Sequence, residues 1–187
     1  MSLFYKKLLN IKSKKILQKV AIYENIEKKI TYLELINLVK QYEKRFKKIG
    51  KNLTVGIILE NSIDAIALLF VFSNLKYSIV ILDKEISENQ LKKYNSNINL
   101  DLIIINDDNI KKYKYFDKKL LNLSNINLFK KKIKPKKKNK FYICSFSSGT
   151  TGAPKAIMYS EKCKFDRSLQ STKLFKIDYK DKLISYS

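Results

Sequence analysis

Residues 55–83 read VGIILENSIDAIALLFVFSNLKYSIVILD and predict the centre of the fold. Apolar and β-branched residues dominate LTVGIILE at 53–60, which is typical of a strand buried on both faces of a sheet. The largely apolar residues 61–77 predict a helix, and SIVILD at 78–83 predicts a second strand. A strand, a helix and a strand in this order predict two parallel strands joined by a crossover connection.

The segment before this unit predicts a short hairpin that leads into a helix over 31–49. Thr31 and Glu34 have the spacing of a capping box, and apolar residues then recur at helical intervals as far as Ile49. Gly50 is placed to end this helix in a left-handed conformation.

The segment after the unit repeats the alternation of helix and strand. Ser87 and Gln90 predict the start of a short polar helix, and LDLIIIND at 100–107 predicts a third strand. The fold class is therefore α/β, with a parallel sheet and crossover helices. Residues 108–140 are rich in lysine and asparagine, and we expect a linker or an exposed loop there.

The last part of the chain predicts a hairpin and a helix. FYICSF at 141–146 and KAIMYS at 155–160 predict two strands joined by a glycine-rich loop. A helix is expected to begin near Glu161, and LISYS at 183–187 predicts a final strand.

The composition limits the possible chemistry. The chain of 187 residues has no histidine, which excludes an imidazole base or metal ligand from these residues. Its formal net charge is +22, but nearly all of the basic residues are lysines, and only Arg45 and Arg167 are arginines. Recognition of base edges favours arginine, so we expect a solvated basic surface and not a nucleic-acid partner.

The cysteines and the apolar runs bear on localisation. Cys144 and Cys163 form neither a CxxC pair nor a zinc motif, and we expect both to be reduced thiols in the core. The longest apolar run, 65–72, is too short to span a bilayer, and the first twenty residues lack the pattern of a signal peptide. These features predict a cytoplasmic chain with no membrane span.

The densest cluster of small residues is SFSSGTTGAPK at 145–155. Backbone amides at glycines, several hydroxyl groups and a lysine together are typical of a phosphate-binding loop. Gly149, Gly152 and Lys155 give the spacing GxxGxxK, which differs from the GxxxxGK[ST] of P-loops, and a strand follows in place of a helix. The loop should therefore join two strands as a hairpin. A glycine-rich and serine-rich turn without a ligand is the simpler alternative.

FSSGTTGAPK at 146–155 resembles the phosphate-binding signature of the adenylate-forming superfamily, which includes acyl-CoA synthetases, peptide-synthetase adenylation domains and luciferases. The order of the upstream elements is similar as well, so the resemblance extends from about Val20 to Ser187. Ala156 departs from the pattern, because most members carry glycine there. The resemblance implies that residues 1–187 are a truncated N-terminal region of an AMP-binding domain. This region comprises a sheet with helices at 20–107, the loop at 108–140, and the phosphate-loop hairpin, helix and final strand at 141–187.

The resemblance also implies a function. An ATP-dependent ligase of this kind uses Mg²⁺ to activate a carboxylic acid, either an acyl or an amino acid, as acyl-AMP, and it releases pyrophosphate. The acyl group then passes to a thiol such as CoA or the phosphopantetheine of a carrier protein. Thr150 or Thr151 would lie near Mg²⁺, and no catalytic residue is assigned within this chain. The ATP phosphates would be bound by Ser147, Ser148, Gly149, Thr150, Thr151, Gly152 and Lys155.

Two other classes of function stay open at this stage. The chain could be a non-catalytic remnant that keeps the fold, or a lysine-rich module that binds polyanions. If it is the N-terminal part of a ligase, we expect the 187 residues alone to be inactive, because positioning of the reacting groups supplies most of the catalysis.

Overall fold

A computed structural model describes residues 2–135, 142–147, 155–178 and 181. The regular elements alternate between helices and strands through most of this range. The α-helices are α1 (Leu3–Leu9), α2 (Lys14–Leu17), α3 (Tyr32–Ile49), α4 (Ile63–Leu75), α5 (Glu88–Ile98) and α6 (Glu161–Leu174). The strands are β1 (Val20–Tyr23), β2 (Lys29–Thr31), β3 (Thr54–Ile58), β4 (Ser78–Ile81), β5 (Leu102–Ile105), β6 (Leu120–Asn122), β7 (Ile143–Ser147) and β8 (Lys155–Tyr159). Two 3₁₀-helical stretches separated by a non-helical kink at Tyr113 span Asp107–Lys119, and a single 3₁₀ turn spans Ile126–Leu128.

The main sheet has six strands in the order β6-β5-β3-β4-β7-β8. The first five are parallel, and β8 runs antiparallel to β7. In the centre, Val55 pairs with Ile79 of β4 on one side and with Leu102 of β5 on the other. The prediction of a parallel sheet with crossover helices is confirmed. A separate antiparallel hairpin of β1 and β2 leads into α3, also as predicted.

The sheet lies between two apolar layers, because successive side chains of a strand point to opposite faces. In β5, Leu102 and Ile104 belong to the core that α1, α3 and α4 cover. Ile103 and Ile105 belong to a smaller core on the other face, which includes residues of α5. This explains why the central strands are apolar at every position.

Aromatic side chains stabilise the larger core. The ring of Phe46 packs edge-on against Phe72 with 4.8 Å between centroids, and Phe72 stacks on Tyr77 at 5.0 Å. The hydroxyl of Tyr77 donates a hydrogen bond to the carbonyl of Gly50 at 3.0 Å, so this buried polar group is satisfied. The cluster fixes α3 and α4 against the sheet.

Local signals at the helix termini are confirmed in two cases. The backbone N–H of Glu34 donates to Thr31 Oγ1 at 3.2 Å, and the N–H of Thr31 donates to Glu34 Oε2 at 2.8 Å, which is a complete capping box. Ser87 and Gln90 form the same arrangement at the start of α5.

The predicted left-handed end of α3 is wrong. Gly50 has φ 166°, which is an extended conformation open to any residue. Glycine is needed for a different reason, because a Cβ at this position would lie 2.6 Å from the carbonyl oxygen of Ile133. The close approach of a distant segment, and not the turn itself, explains this residue.

The prediction of an exposed loop over 108–140 is wrong for much of the segment. β6 extends the sheet at its edge and pairs in parallel with β5. Tyr113, Phe116 and Leu121 are each at most 2% exposed. Isolated apolar residues among the lysines make these buried contacts. The lysine-rich composition of the segment as a whole does not reveal them.

The two cysteines, the end of the chain and the apolar helices complete the comparison with the sequence. Cys144 is buried, as predicted, whereas Cys163 is exposed on α6, so the prediction of a core thiol there is wrong. The predicted final strand at 183–187 lies outside the described residues. Within the described ranges, no helix combines the length and apolar character that a membrane crossing requires.

Candidate phosphate-binding hairpin

The glycine-rich segment connects two paired strands. β7 and β8 pair antiparallel at five positions, from Ile143 opposite Tyr159 to Ser147 opposite Lys155. The predicted hairpin is therefore confirmed. Because β7 is parallel to β4, its last residue, Ser147, lies at the carboxyl edge of the parallel strands. This is the edge at which open parallel sheets bind their ligands.

The structure places two of the seven predicted phosphate-binding residues. Ser147 ends β7 and Lys155 begins β8, so their backbones lie directly opposite each other at the base of the loop. The side chain of Lys155 is exposed. The other five residues lie outside the described part of the chain: Ser148, Gly149, Thr150, Thr151 and Gly152.

The base of the hairpin is packed against α5. Phe146, next to Ser147, stacks on Tyr94 with 3.7 Å between ring centroids and 16° between planes. Both rings pack against the smaller core, which contains Cys144 on the same strand. The contact fixes the point at which β7 enters the loop. Sequence reasoning missed Tyr94, although Leu91, Tyr94 and Ile98 have the spacing of one helix face.

A second anchor holds the far side of the hairpin. Ser160 caps α6 immediately after β8, and its Oγ accepts the N–H of Cys163 at 3.1 Å. The carboxylate of Glu161 accepts hydrogen bonds from the N–H of Leu3 at 2.8 Å and from Ser73 Oγ at 2.7 Å. Glu161 thereby ties the start of α6 to α1 and α4.

The loops that follow β3 and β4 meet at the same carboxyl edge. β3 continues into α4, which covers one face, whereas β4 continues into α5, which covers the other. Such a change of direction opens a crevice between neighbouring strands. Lys84 Nζ, after β4, lies 3.0 Å from Glu60 Oε1, after β3, and this hydrogen bond raises the pKa of the Lys84 ammonium.

The donor groups at this edge limit how a metal could be held. Within the described ranges, no group of three or more cysteine, aspartate or glutamate side chains could hold a metal ion. Mg²⁺ commonly keeps several waters and binds through substrate phosphates with few protein ligands. A threonine hydroxyl fits that role chemically, and Thr150 or Thr151 is predicted to lie near Mg²⁺, but both positions lie outside the described residues.

A comparison with protein families matches residues 12–187 to the AMP-binding enzyme family. The chain belongs to this family. The match begins before β1 and includes the whole sheet together with the glycine-rich hairpin. No curated protein sequence matches the chain.

Solved structures show the same fold. O-succinylbenzoate CoA synthetase (MenE) from Bacillus subtilis, in complex with AMP, superposes with a TM-score of 0.76 at 16% identity, over 97% of this chain and 48% of that one. VinN in complex with 3-methylaspartate gives 0.74 at 14% identity, over 92% and 52%. Apo MatB from Rhodopseudomonas palustris gives 0.68 at 16%, over 95% and 38%. The chain therefore has the fold of the N-terminal part of adenylate-forming ligases and spans about half the length of the MenE and VinN chains.

Proposed function

We propose that the chain is the N-terminal portion of an ATP-dependent ligase that activates a carboxylic acid as acyl-AMP. The observation that carries the proposal is the hairpin of β7 and β8, which brings Ser147 and Lys155 together at the carboxyl edge of the parallel sheet. The segment between them supplies the glycines and hydroxyl groups that phosphate binding requires. Membership of the AMP-binding enzyme family supports the same assignment.

In the proposed reaction, a carboxylate oxygen of the acid attacks the α-phosphorus of ATP. The new O–P bond forms as the bond to the β-phosphate oxygen breaks, and pyrophosphate leaves. Residues 147–152 would donate amide and hydroxyl hydrogen bonds to the β- and γ-phosphates, and Lys155 would balance their charge. Mg²⁺, held mainly by the phosphates and near Thr150 or Thr151, would neutralise the leaving group.

The second step would transfer the acyl group to a thiol. The thiol loses its proton to water, its sulfur attacks the acyl carbon, and AMP leaves with the pair of electrons from the broken C–O bond. CoA or the phosphopantetheine of a carrier protein would supply the thiol. Both cysteines are free, which fits a reducing compartment such as the cytoplasm.

Replacing Lys155 tests the proposed phosphate site. We expect Lys155→Gln to weaken binding of Mg-ATP about tenfold or more, because a charge-assisted contact to phosphate is lost. Lys173→Gln on α6 is the matched control, since it removes the same charge from an exposed lysine away from the hairpin. Calorimetric titration of each variant with Mg-ATP measures the effect. Equal affinities of the two variants for Mg-ATP would contradict a phosphate-binding site at the hairpin.

An exchange assay tests whether this portion suffices for chemistry. We expect the chain alone to show no acid-dependent exchange of labelled pyrophosphate into ATP across fatty, aryl and amino acids, because much of the positioning would come from the rest of the ligase. Robust exchange would refute that expectation. ATP binding without any exchange, even after the remaining portion of a ligase is supplied, would favour a non-catalytic remnant.

A further inference from the structure

A cleft of about 900 Å³ opens at the edge of the sheet opposite the glycine-rich hairpin. Its lining includes Asp101, which immediately precedes β5, and Lys119, which immediately precedes β6. These residues mark the amino ends of parallel strands, whereas the hairpin leaves from the carboxyl end of β7. The cleft is therefore distinct from the proposed ATP site. We call it the lysine cleft, after the lysines of its lining, Lys114, Lys119, Lys131, Lys132 and Lys134.

The charge of the lysine cleft is strongly unbalanced. Asp101 is the one carboxylate in its described lining, and its Oδ2 already accepts the N–H of Thr54 at 2.9 Å. Lys114, Lys132 and Lys134 are exposed and form no ion pair with any residue that the structure describes. Several ammonium groups around one cavity repel one another, and a bound anion would relieve that repulsion.

The backbone that carries these lysines is held in place. The N–H of Ile133 donates to the carbonyl of Ile49 at 2.7 Å, and the Ile133 side chain packs against the larger core. Elsewhere in the lining, the N–H of Tyr115 donates to Glu88 Oε1 at 2.7 Å. Lys132, Lys134 and Lys114 are direct neighbours of these anchors. The charges therefore project from fixed walls rather than from a free tail.

The floor of the lysine cleft is also ordered. Lys119 Nζ donates to the carbonyl of Leu100 at 2.6 Å and lies 3.3 Å from Asn95 Oδ1. The ammonium of this part-buried lysine is thus kept at the amino ends of the strands. A ligand in the cleft would meet this held charge together with those of the exposed lysines.

The chemistry of the lining favours phosphate groups. Lysine binds phosphate as a point charge, whereas planar recognition of carboxylates favours arginine, which is absent from the described lining. The volume exceeds what one phosphate would fill, and lysines occupy more than one wall. We propose that the lysine cleft binds a short chain of phosphate groups, as found in inorganic tripolyphosphate or in the triphosphate of a nucleotide.

Two variants with equal charge test the proposal. The triple variant Lys114→Gln, Lys132→Gln and Lys134→Gln removes the exposed charges of the cleft. The control, Lys12→Gln, Lys14→Gln and Lys15→Gln, removes three exposed charges from the start of the chain. Titration of the full chain with tripolyphosphate at physiological salt should show at least a tenfold loss of affinity in the cleft variant and less than a threefold loss in the control. Circular dichroism and thermal unfolding establish that both variants fold.

Several results would overturn the proposal. An equal loss in both variants would mean that tripolyphosphate responds only to the general charge of the chain. Absence of tripolyphosphate binding, or tight binding of a single-stranded oligonucleotide alone, would also reject the proposed ligand class.

A second ligand separates this site from the proposed ATP site. If Lys155→Gln abolishes tripolyphosphate binding while the cleft variant keeps it, the phosphate chain binds at the hairpin and the lysine cleft is not a site. If the cleft variant loses both tripolyphosphate and ATP while Lys155→Gln loses neither, the cleft proposal stands and the proposed function fails. Titration with ATP beside tripolyphosphate also shows whether the nucleotide or the inorganic chain is preferred.

Discussion

Gly50 illustrates how a single residue serves a contact that is distant in sequence. Its extended φ requires no glycine, yet the carbonyl oxygen of Ile133 leaves no room for a Cβ. The same segment, residues 131–134, carries three lysines of the lysine cleft. The size of this one side chain therefore controls how closely a wall of the cleft approaches α3.

Gly50→Ala should destabilise the chain and disturb the lysine cleft. The added methyl group would contact backbone, so residues 131–134 must shift, at a cost of about 1–3 kcal/mol in the free energy of unfolding. Urea unfolding measures this cost, and tripolyphosphate titration should show weaker binding. Gly56→Ala is the control, because its new Cβ would meet side-chain carbons of Leu82 and Leu100 at 3.0 and 3.2 Å. Unchanged tripolyphosphate affinity in Gly50→Ala would contradict the proposed link.

At the scale of elements, Glu43 joins three helices. Its carboxylate lies in α3, accepts hydrogen bonds from the Tyr5 hydroxyl of α1 and, at 2.8 Å, from Asn74 Nδ2 of α4, and lies 2.8 Å from Lys47 Nζ. Burial alone would raise the pKa of Glu43. The hydrogen bonds from Lys47, Tyr5 and Asn74, with the charge of Lys47, outweigh burial and hold the pKa below its ordinary value.

This lowered pKa predicts a defined dependence of stability on pH. A carboxyl group with a lower pKa in the folded state stabilises above its unfolded pKa of about 4.3, and that contribution is lost as the pH falls through the folded value. Glu43→Gln should therefore cost about 1–3 kcal/mol near pH 7, and the difference from the unmodified chain should shrink below about pH 4. Urea unfolding across this range provides the measurement. Glu85→Gln, at an exposed carboxyl, is the control and should change stability little near pH 7. A difference for Glu43→Gln that stays constant across the pH range would contradict the prediction.

Most elements could be predicted from the sequence because their signals are local. The apolar runs at 53–60 and 78–83 predicted strands and contain β3 and β4. The spacing of Ser87 and Gln90 predicted a helix start, and these residues form a capping box. Failures arose where distant contacts decide the structure. β6 pairs with the edge strand β5, Tyr113 is buried in the smaller core, and glycine is needed at position 50 because the carbonyl oxygen of Ile133 leaves no room for a Cβ.

The candidate sites likewise differ in whether their residues are adjacent in the sequence or are brought together by folding. The hairpin and its two paired residues, Ser147 and Lys155, could be predicted because glycine, hydroxyl residues and lysine are adjacent in the sequence. The stacking of Tyr94 on Phe146 and the lysine cleft could not, since folding brings together residues that are distant in the sequence. In a chain with so many lysines, composition alone does not distinguish those that share a cavity.

At the scale of the whole molecule, packing is uneven. Phe46 and Phe72 are fully buried between α3, α4 and the sheet, whereas α6 has no buried residue within the described part of the chain. Ile157 and Met158 on β8 and Leu174 and Phe175 at the end of α6 are 40–76% exposed. The stability of the chain thus depends on the sheet and the helices before β7.

This contrast predicts very different effects for two phenylalanines. Phe72→Ala should lower the free energy of unfolding by about 3–5 kcal/mol, because it removes a buried ring and leaves a cavity. Phe175→Ser should change it by less than about 0.5 kcal/mol, because the ring is 70% exposed. Chemical denaturation of both variants measures the difference. Comparable losses would show that α6 is packed much more tightly than the exposure of its residues indicates.

The position of β7 also has a consequence for how the chain folds. Along the chain, one helix separates β3 from β4, which are neighbours in the sheet. By contrast, β5 and β6 lie between β4 and β7 in the sequence, although β7 pairs with β4 and the other two strands lie on the far side of β3. Closing so long a loop costs more entropy than closing the central β3–α4–β4 unit, so contacts of high sequence separation form slowly. We therefore expect the β7–β8 hairpin to join a sheet whose central strands are already paired.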